Sequence, residues 1–298
     1  DYRFSNWLGI RAGRTKVPFG LYNEINDIDS ARVPILLPQS VYPVQSRDFL
    51  LAQTGGELYG YMPAGDVGGL EYRAYGGTLF LDTSNSNSAA GVITDLDVPY
   101  VVGGRLMWLT PLKGLQLGGS LQALRLNIDF VPSAATLGPL QMAGKVPAGF
   151  NGTVDANLRA LLWVSSAEYA VDDLLLATEF SRWTVKSDSS LPAFFPKTST
   201  VSDRFYAMGS YRVNSVFTPG VYYSVLFPKS GTWDQRSDYQ HDVALTTRFD
   251  INEYWLLKLE GHFMHGTAGL NSAENSNTPL TSLTRDWGLF MVKTTAYF

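Results

Sequence analysis

The chain has 298 residues, 23 basic against 27 acidic side chains, a formal net charge of −4 and no cysteine. That balance excludes the basic surface of a nucleic-acid binder, and without thiols neither a disulfide framework nor a thiolate metal site can form. Charged residues make up only 17%, against about 25% in soluble globular domains; since no run of about 18 apolar residues offers a transmembrane helix, the membrane form left open is a closed β-barrel.

Alternation with a period of two marks the strands. In chain order they are expected at about 3–13, 50–62, 68–82, 98–110, 114–128, 152–166, 173–186, 203–213, 219–228, 239–250, 254–265 and 285–298. The clearest are three. In 152–166, Val154, Ala156, Leu158, Ala160, Leu162 and Val164 oppose Asp155, Asn157 and Arg159. In 239–250, Val243, Leu245 and Phe249 oppose Gln240, Asp242, Thr246 and Arg248. In 254–265, Trp255, Leu257, Leu259 and Phe263 oppose Lys258, Glu260 and His262. Short connections carrying turn residues alternate with long ones at 14–48, 83–97, 129–151, 187–202, 229–238 and 266–284, as when one rim faces the periplasm and the other the outside.

The expected fold is therefore all-β: a single transmembrane, antiparallel, up-and-down barrel over 1–298, with about twelve strands and a long first extracellular loop at 14–48. Fourteen to sixteen strands follow if residues preceding Asp1 supply more, and any export signal is expected to lie outside this sequence. A soluble sandwich would carry more charge on its polar faces. Aromatic residues near strand ends, such as Tyr100, Trp108, Trp255 and Phe263, match interfacial girdles instead. The last strand, with Phe290, Val292, Thr294, Ala296 and terminal Phe298, resembles the C-terminal signature of Gram-negative outer-membrane proteins, which implies a bacterial outer-membrane location.

After the first strand comes Gly13-Arg14-Thr15-Lys16-Val17-Pro18-Phe19-Gly20-Leu21, then Asn23-Glu24, Asp27, Asp29 and Arg32. This run of about twenty residues resembles a segment of the phosphate-selective O/P-type porins and related porins. The resemblance implies a channel of sixteen strands assembled as a homo-trimer. The rest of the chain matches that family in pattern only, and the alternation here gives about twelve strands. The family's phosphate sites map onto no individual residues of this sequence.

If the apolar parity faces lipid, the other parity lines the lumen. The inward cations are then Arg11, Arg73, Arg105, Arg159, Arg204, Arg212, Arg248, Lys258 and Lys293, and the inward acids Glu57, Glu71, Asp155, Glu179, Asp242 and Glu260. This weak basic lean would favour permeating anions, unless opposite charges such as Asp155 and Arg159 merely pair. The negative excess is assigned to connections, at Asp27, Asp29, Asp82, Asp95, Asp97, Asp172 and Asp173. The apolar, Pro-rich stretch Val33 to Pro43 leaves two readings of the first loop. Either it folds into the barrel and sets Lys16 or Arg32 at a constriction, or it packs over the rim or against a neighbouring subunit.

Enzyme motifs are missing: there is no Gly-x-Ser-x-Gly elbow, phosphate-cradling loop or His-Glu-x-x-His pair. His262 and His265 point to opposite faces of one strand, poor geometry for a metal, while Glu260 and His262 share a face, where either an acid/base pair or, as expected here, a plain lumenal hydrogen bond can form. The expectation is a porin: a channel for passive diffusion of small hydrophilic solutes, mildly anion-preferring, with no cofactor or metal and no enzymatic step. Its expected partners are the lipid bilayer, lipopolysaccharide, the permeating solutes and copies of itself. The alternative is a structural or partner-binding barrel with an occluded lumen.

Overall fold

The computed structural model describes residues 1–81, 87–88 and 91–298. Its strands are β1 (Tyr2–Ser5), β2 (Leu8–Lys16), β3 (Ala52–Pro63), β4 (Gly69–Thr78), β5 (Asn87–Ser88), β6 (Gly91–Leu109) and β7 (Leu115–Pro132). They continue as β8 (Val154–Val171), β9 (Leu174–Ser189), β10 (Thr198–Tyr211), β11 (Phe217–Phe227), β12 (Gln240–Asn252), β13 (Trp255–Gly266) and β14 (Asp286–Ala296). Two short helices, α1 (Arg47–Leu50) and α2 (Ala134–Met142), lie in connections. Strand neighbours in sequence are neighbours in the sheet from β1 to β14, all antiparallel, with the two-residue β5 hung on β6 alone.

The twelve long strands fall where the alternation places them, with β6, β7, β9 and β10 reaching farther into the long connections and β8 farther toward the tight turn that follows it. The expected first strand instead divides at Asn6-Trp7 into β1 and β2. Asp95 and Asp97, expected in a connection, lie in β6, and Asp82 falls outside the described residues. Tight turns join strands at one rim. Between β8 and β9 it is only Asp172-Asp173, where Asp172 takes a positive φ of 50°, as a two-residue hairpin of right-handed twist demands.

Hydrogen bonds do not close the sheet: among the described residues no ladder joins β14 to β1 or β2. The sheet is nonetheless strongly curled. Glu24 grips Arg73 of β4 and Arg105 of β6, while Asp29, five residues on, grips Lys258 of β13 and Thr295 of β14. Five residues extend at most about 18 Å, whereas β4 and β14 would lie about 43 Å apart in a flat sheet of this order. Only a sheet wrapped around the loop brings them together.

The wrapped sheet exposes an apolar belt that includes Leu106, Leu121, Leu161, Leu176, Val221, Leu245, Phe263, Phe290 and Val292. A contiguous outer face of this kind is foreign to a soluble monomer. At the short-turn rim Trp7, Trp108, Tyr211, Tyr254 and Trp255 are exposed, an aromatic girdle where an apolar band meets water. The core is inside the curl, where Val17, Phe19, Leu37, Val41 and Tyr42 of the first connection meet Leu124, Leu126, Leu162, Val164, Trp183 and Tyr206 of the wall.

Candidate functional site: the lumen and its inserted loop

Four prolines, Pro18, Pro34, Pro38 and Pro43, deny residues 17–51 a regular helix or strand, and the segment forms short turns at Asn23–Ile25, Asp29–Ala31 and Val44–Ser46 before α1. A buried irregular backbone must find hydrogen-bond partners outside itself. Wall side chains supply them. Ser120 accepts from the Gly20 amide at 2.7 Å. Glu179 accepts from the Leu21 amide at 2.9 Å and from the hydroxyls of Tyr42, Ser166 and Tyr206. Glu260 accepts from the amides of Ile35 and Leu36 at 2.7 and 2.9 Å. In return the loop carbonyls of Ser40 and Phe49 accept from Arg204 and Gln122. Of the two readings of the loop, the structure takes the inserted one.

Gly20 marks the tightest crossing. Its φ is 62°, and a Cβ there would lie 2.4 Å from the Tyr42 hydroxyl and 2.8 Å from a Glu179 carboxylate oxygen. The Pro18-Phe19-Gly20 run is thus a seating device: Phe19 is buried, and Gly20 lets the backbone touch the wall. Burial and the neighbouring Glu179 push the Tyr42 phenol well above its ordinary value, so it stays a donor.

Charge holds the loop at both ends. Glu24 bridges Arg73 and Arg105, which face each other across β4 and β6; Glu57 and Glu71 complete the cluster, and Arg11 reaches Glu57 and Asp1. Farther along, the fully buried Lys258 donates to the Asp29 carboxylate at 2.9 Å and to the carbonyls of Asp29 and Arg32, with Lys293 3.1 Å from the same carboxylate. Burial works to raise the Asp29 carboxyl, but donation from Thr295, Lys258 and Lys293 outweighs it and holds it down at about 2. Lys16 pairs with Asp27 and holds that carboxyl below its usual range. Between these ends His262 sits 3.0 Å from Asp242 through Nδ1 and 3.0 Å from Glu260 through Nε2. That chain orients the carboxylate that receives Ile35 and Leu36.

The expected inward residues therefore divide. Arg11, Arg73, Arg105, Glu57, Glu71, Arg204, Arg248, Lys258, Lys293, Asp242 and Glu260 face the interior, most of them tied to the loop or to one another. Arg212 lies past the end of β10, at the short-turn rim. Asp155 and Arg159 are corrected: both are exposed on the outer face. On β8 it is Val154, Ala156, Leu162, Val164 and Ser166 that are buried inward. The parity reverses because this part of the lumen is filled by the apolar loop rather than by water, so the wall facing it is apolar too. Asp29, expected in a connection, is buried in the lumen against the wall cations Lys258 and Lys293, whereas Asp27 stays exposed and pairs with Lys16. Glu24, Glu168 and Gln122 also belong to the site and were not expected there; acids beside an apolar Pro-rich stretch are the signal that could have found Glu24 in the loop, whereas Gln122 and Glu168, on β7 and β8, give none.

Below the loop, toward the short-turn rim, two openings remain. One of about 560 Å³ is lined by Arg32, Arg212, Arg248, Asp172, Asp173 and Asp250, among others; its neighbour, about 430 Å³, lies between Arg248, Asp250, Trp255 and Tyr297. Arg248 is committed to Asp250 and to the Ser30 carbonyl, whereas Arg32, Arg204 and Arg212 have no ion pair among the described residues. Arg204 lies flat on Trp183, 3.5 Å from the ring centre.

No protein-family model matches the chain, and no curated protein matches it. Among solved structures, the chain is similar to the outer-membrane expressed OmpT of Vibrio cholerae, at 10% identity and a TM-score of 0.60, covering 99% of this chain and 78% of that one. A loop L8 deletion mutant of the same protein gives 11% identity and a TM-score of 0.52, covering 99% of this chain and 77% of that one. At these identities the likeness is one of fold: an all-β, antiparallel, up-and-down outer-membrane architecture. With the exposed apolar belt and the aromatic girdle, it points to a location in the bacterial outer membrane.

Proposed function

We propose that the chain is an outer-membrane diffusion channel for small hydrophilic solutes, a closed barrel narrowed by its own first loop. The observation that carries this reading is the loop itself: residues 17–51 cross the lumen on polar tethers and leave water-accessible openings lined by Arg32, Arg212 and Arg248. Passive diffusion needs no bond made or broken, so the reading assigns no catalytic residue and no cofactor. Arg32, Arg204 and Arg212, free of carboxylate partners among the described residues, give the path its mild preference for anions. The phosphate selectivity of the O/P-type porins finds no residue-level counterpart. Deleting residues 33–43 is expected to raise single-channel conductance in planar bilayers; unchanged conductance would place the narrowest point elsewhere. Current steps in threes would support a trimer.

A second reading is favoured by the apolar cluster of Phe19, Leu37, Val41 and Tyr42, which packs against the wall in the middle of the lumen. In that reading the barrel is occluded and serves structure or partner binding. Liposome swelling in sugars of graded size separates the two: swelling with small sugars supports the channel, and none with any sugar supports the plug.

A further inference from the structure

On the outer face of β7, β8 and β9, Arg125 is directly opposite Arg159, and Arg159 directly opposite Lys186. Like charges set side by side on neighbouring strands repel. No carboxylate comes within salt-bridge distance of them: Arg125 donates only to the amide oxygens of Asn127 and Asn157, at 3.0 and 2.7 Å, and none of the three makes an ion pair among the described residues. Lys197, from the β9–β10 connection, joins Arg159 and Lys186 around a cleft of about 450 Å³ that also contains Asp188 and Ser199.

Height gives the row its meaning. Lys186 is twelve residues above the first residue of β9, Leu174. At about 3.3 Å per residue and a tilt of about 40° that is about 30 Å above the short-turn rim, just over an apolar band about 25 Å tall. The rung below is Ala123, Leu161 and Thr184, and the next Leu121, Trp163 and Arg182, whose charge Asp203 neutralises; the rung above is Asn127, Asn157 and Asp188. Apolar side chains with one neutralised ion pair thus give way to a row of unpaired cations, and these in turn to amides and the carboxylates of Asp188 and Asp155. A ligand matching this order has acyl chains below, a doubly charged anion at the row and sugar hydroxyls above.

We propose that Arg125, Arg159 and Lys186, with Lys197, form a binding site for a phosphorylated glycolipid of the outer leaflet. Guanidinium groups take phosphate oxygens in pairs, the acyl chains lie on Leu161, and the sugar meets Asn127 and Asn157. The inference rests on the outer-membrane reading but not on the channel being open, since all four residues lie outside the lumen.

The test uses the full chain purified in detergent, without divalent cations so that metal bridges through Asp188 do not contribute. Binding of bisphosphorylated lipid A is measured by native mass spectrometry for the wild type, for the triple variant Arg125→Gln/Arg159→Gln/Lys186→Gln and for the charge-retaining variant Arg125→Lys/Arg159→Lys. Each basic side chain at an anionic lipid surface contributes about fivefold in affinity, so the triple variant should bind on the order of a hundredfold more weakly. The charge-retaining variant, which keeps the charges but loses the paired guanidinium contacts, should fall between the two. Single-channel conductance and heat-modifiable gel mobility, which report the lumen and the folded barrel, should be unchanged. Equal binding of lipid A by wild type and triple variant overturns the proposal, as does inorganic phosphate displacing lipid A at equal concentration, which would make the site one for a free anion. A wild type that binds lipid A yet conducts nothing would overturn the channel and leave this site standing.

Discussion

Asp29 shows how one carboxylate can hold a loop in place. It is held at about 2 by the donors around it, below the free aspartate value of about 3.9, so its contribution to the seated loop is complete above that value and is lost as pH falls through 2. Conductance is expected to stay constant from neutral pH to about pH 4 and to rise as the bilayer chamber is acidified toward pH 2. Asp29→Asn should give the raised conductance already at neutral pH, because it leaves Lys258 buried without its counter-charge, a defect that costs about 3–5 kcal/mol in buried pairs. Gly20 works through shape. Gly20→Ala places a methyl group against Tyr42 and Glu179 in a backbone conformation that L residues resist, and overpacking of this kind costs about 1–3 kcal/mol. Limited proteolysis of the folded protein should then cut within residues 17–51, where the wild type resists.

At the scale of the element, β8 carries the sharpest lesson. Alternation located the strand but not its orientation, since period two says which side chains share a face and nothing about what that face meets. Had the lumen been watery throughout, Leu162 and Val164 would face lipid, as they do not: Leu162 is 4% exposed and Leu161 is 42% exposed. The chain has no cysteine, so single Leu161→Cys and Leu162→Cys variants can be labelled cleanly. A fluorophore at 161 should be quenched by brominated lipid and one at 162 should not. Strands β12 and β13 were legible on both counts, because Asp242, Lys258 and Glu260 mark their inward faces with charge. The loop was legible as apolar and Pro-rich but not as inserted, because these tethers pair it with residues a hundred or more positions away: Gly20 with Ser120, Leu21 with Glu179, Ile35 with Glu260. No local pattern records such pairs.

For the molecule as a whole, the charge deficit and the aromatic content foretold the architecture, since the outward half of the strands is apolar over most of its height. The net −4 is less informative about the lumen than the pairing is. Loop acids Glu24 and Asp29 pair with the wall cations Arg73, Arg105, Lys258 and Lys293; on the proposed channel reading, Arg32, Arg204 and Arg212 then set the field along the path. Reversal potentials in a KCl gradient should therefore indicate a small anion preference, reduced by Arg204→Gln/Arg212→Gln; a clear cation preference would refute this account. The long reach of the loop has a kinetic consequence as well. Its acceptor Glu260 is 225 positions from Ile35, and contacts of such separation form late. The plug can be seated only after the last strands are in place, so a protease-resistant loop is a timer for assembly: it protects itself only in a chain that has finished folding.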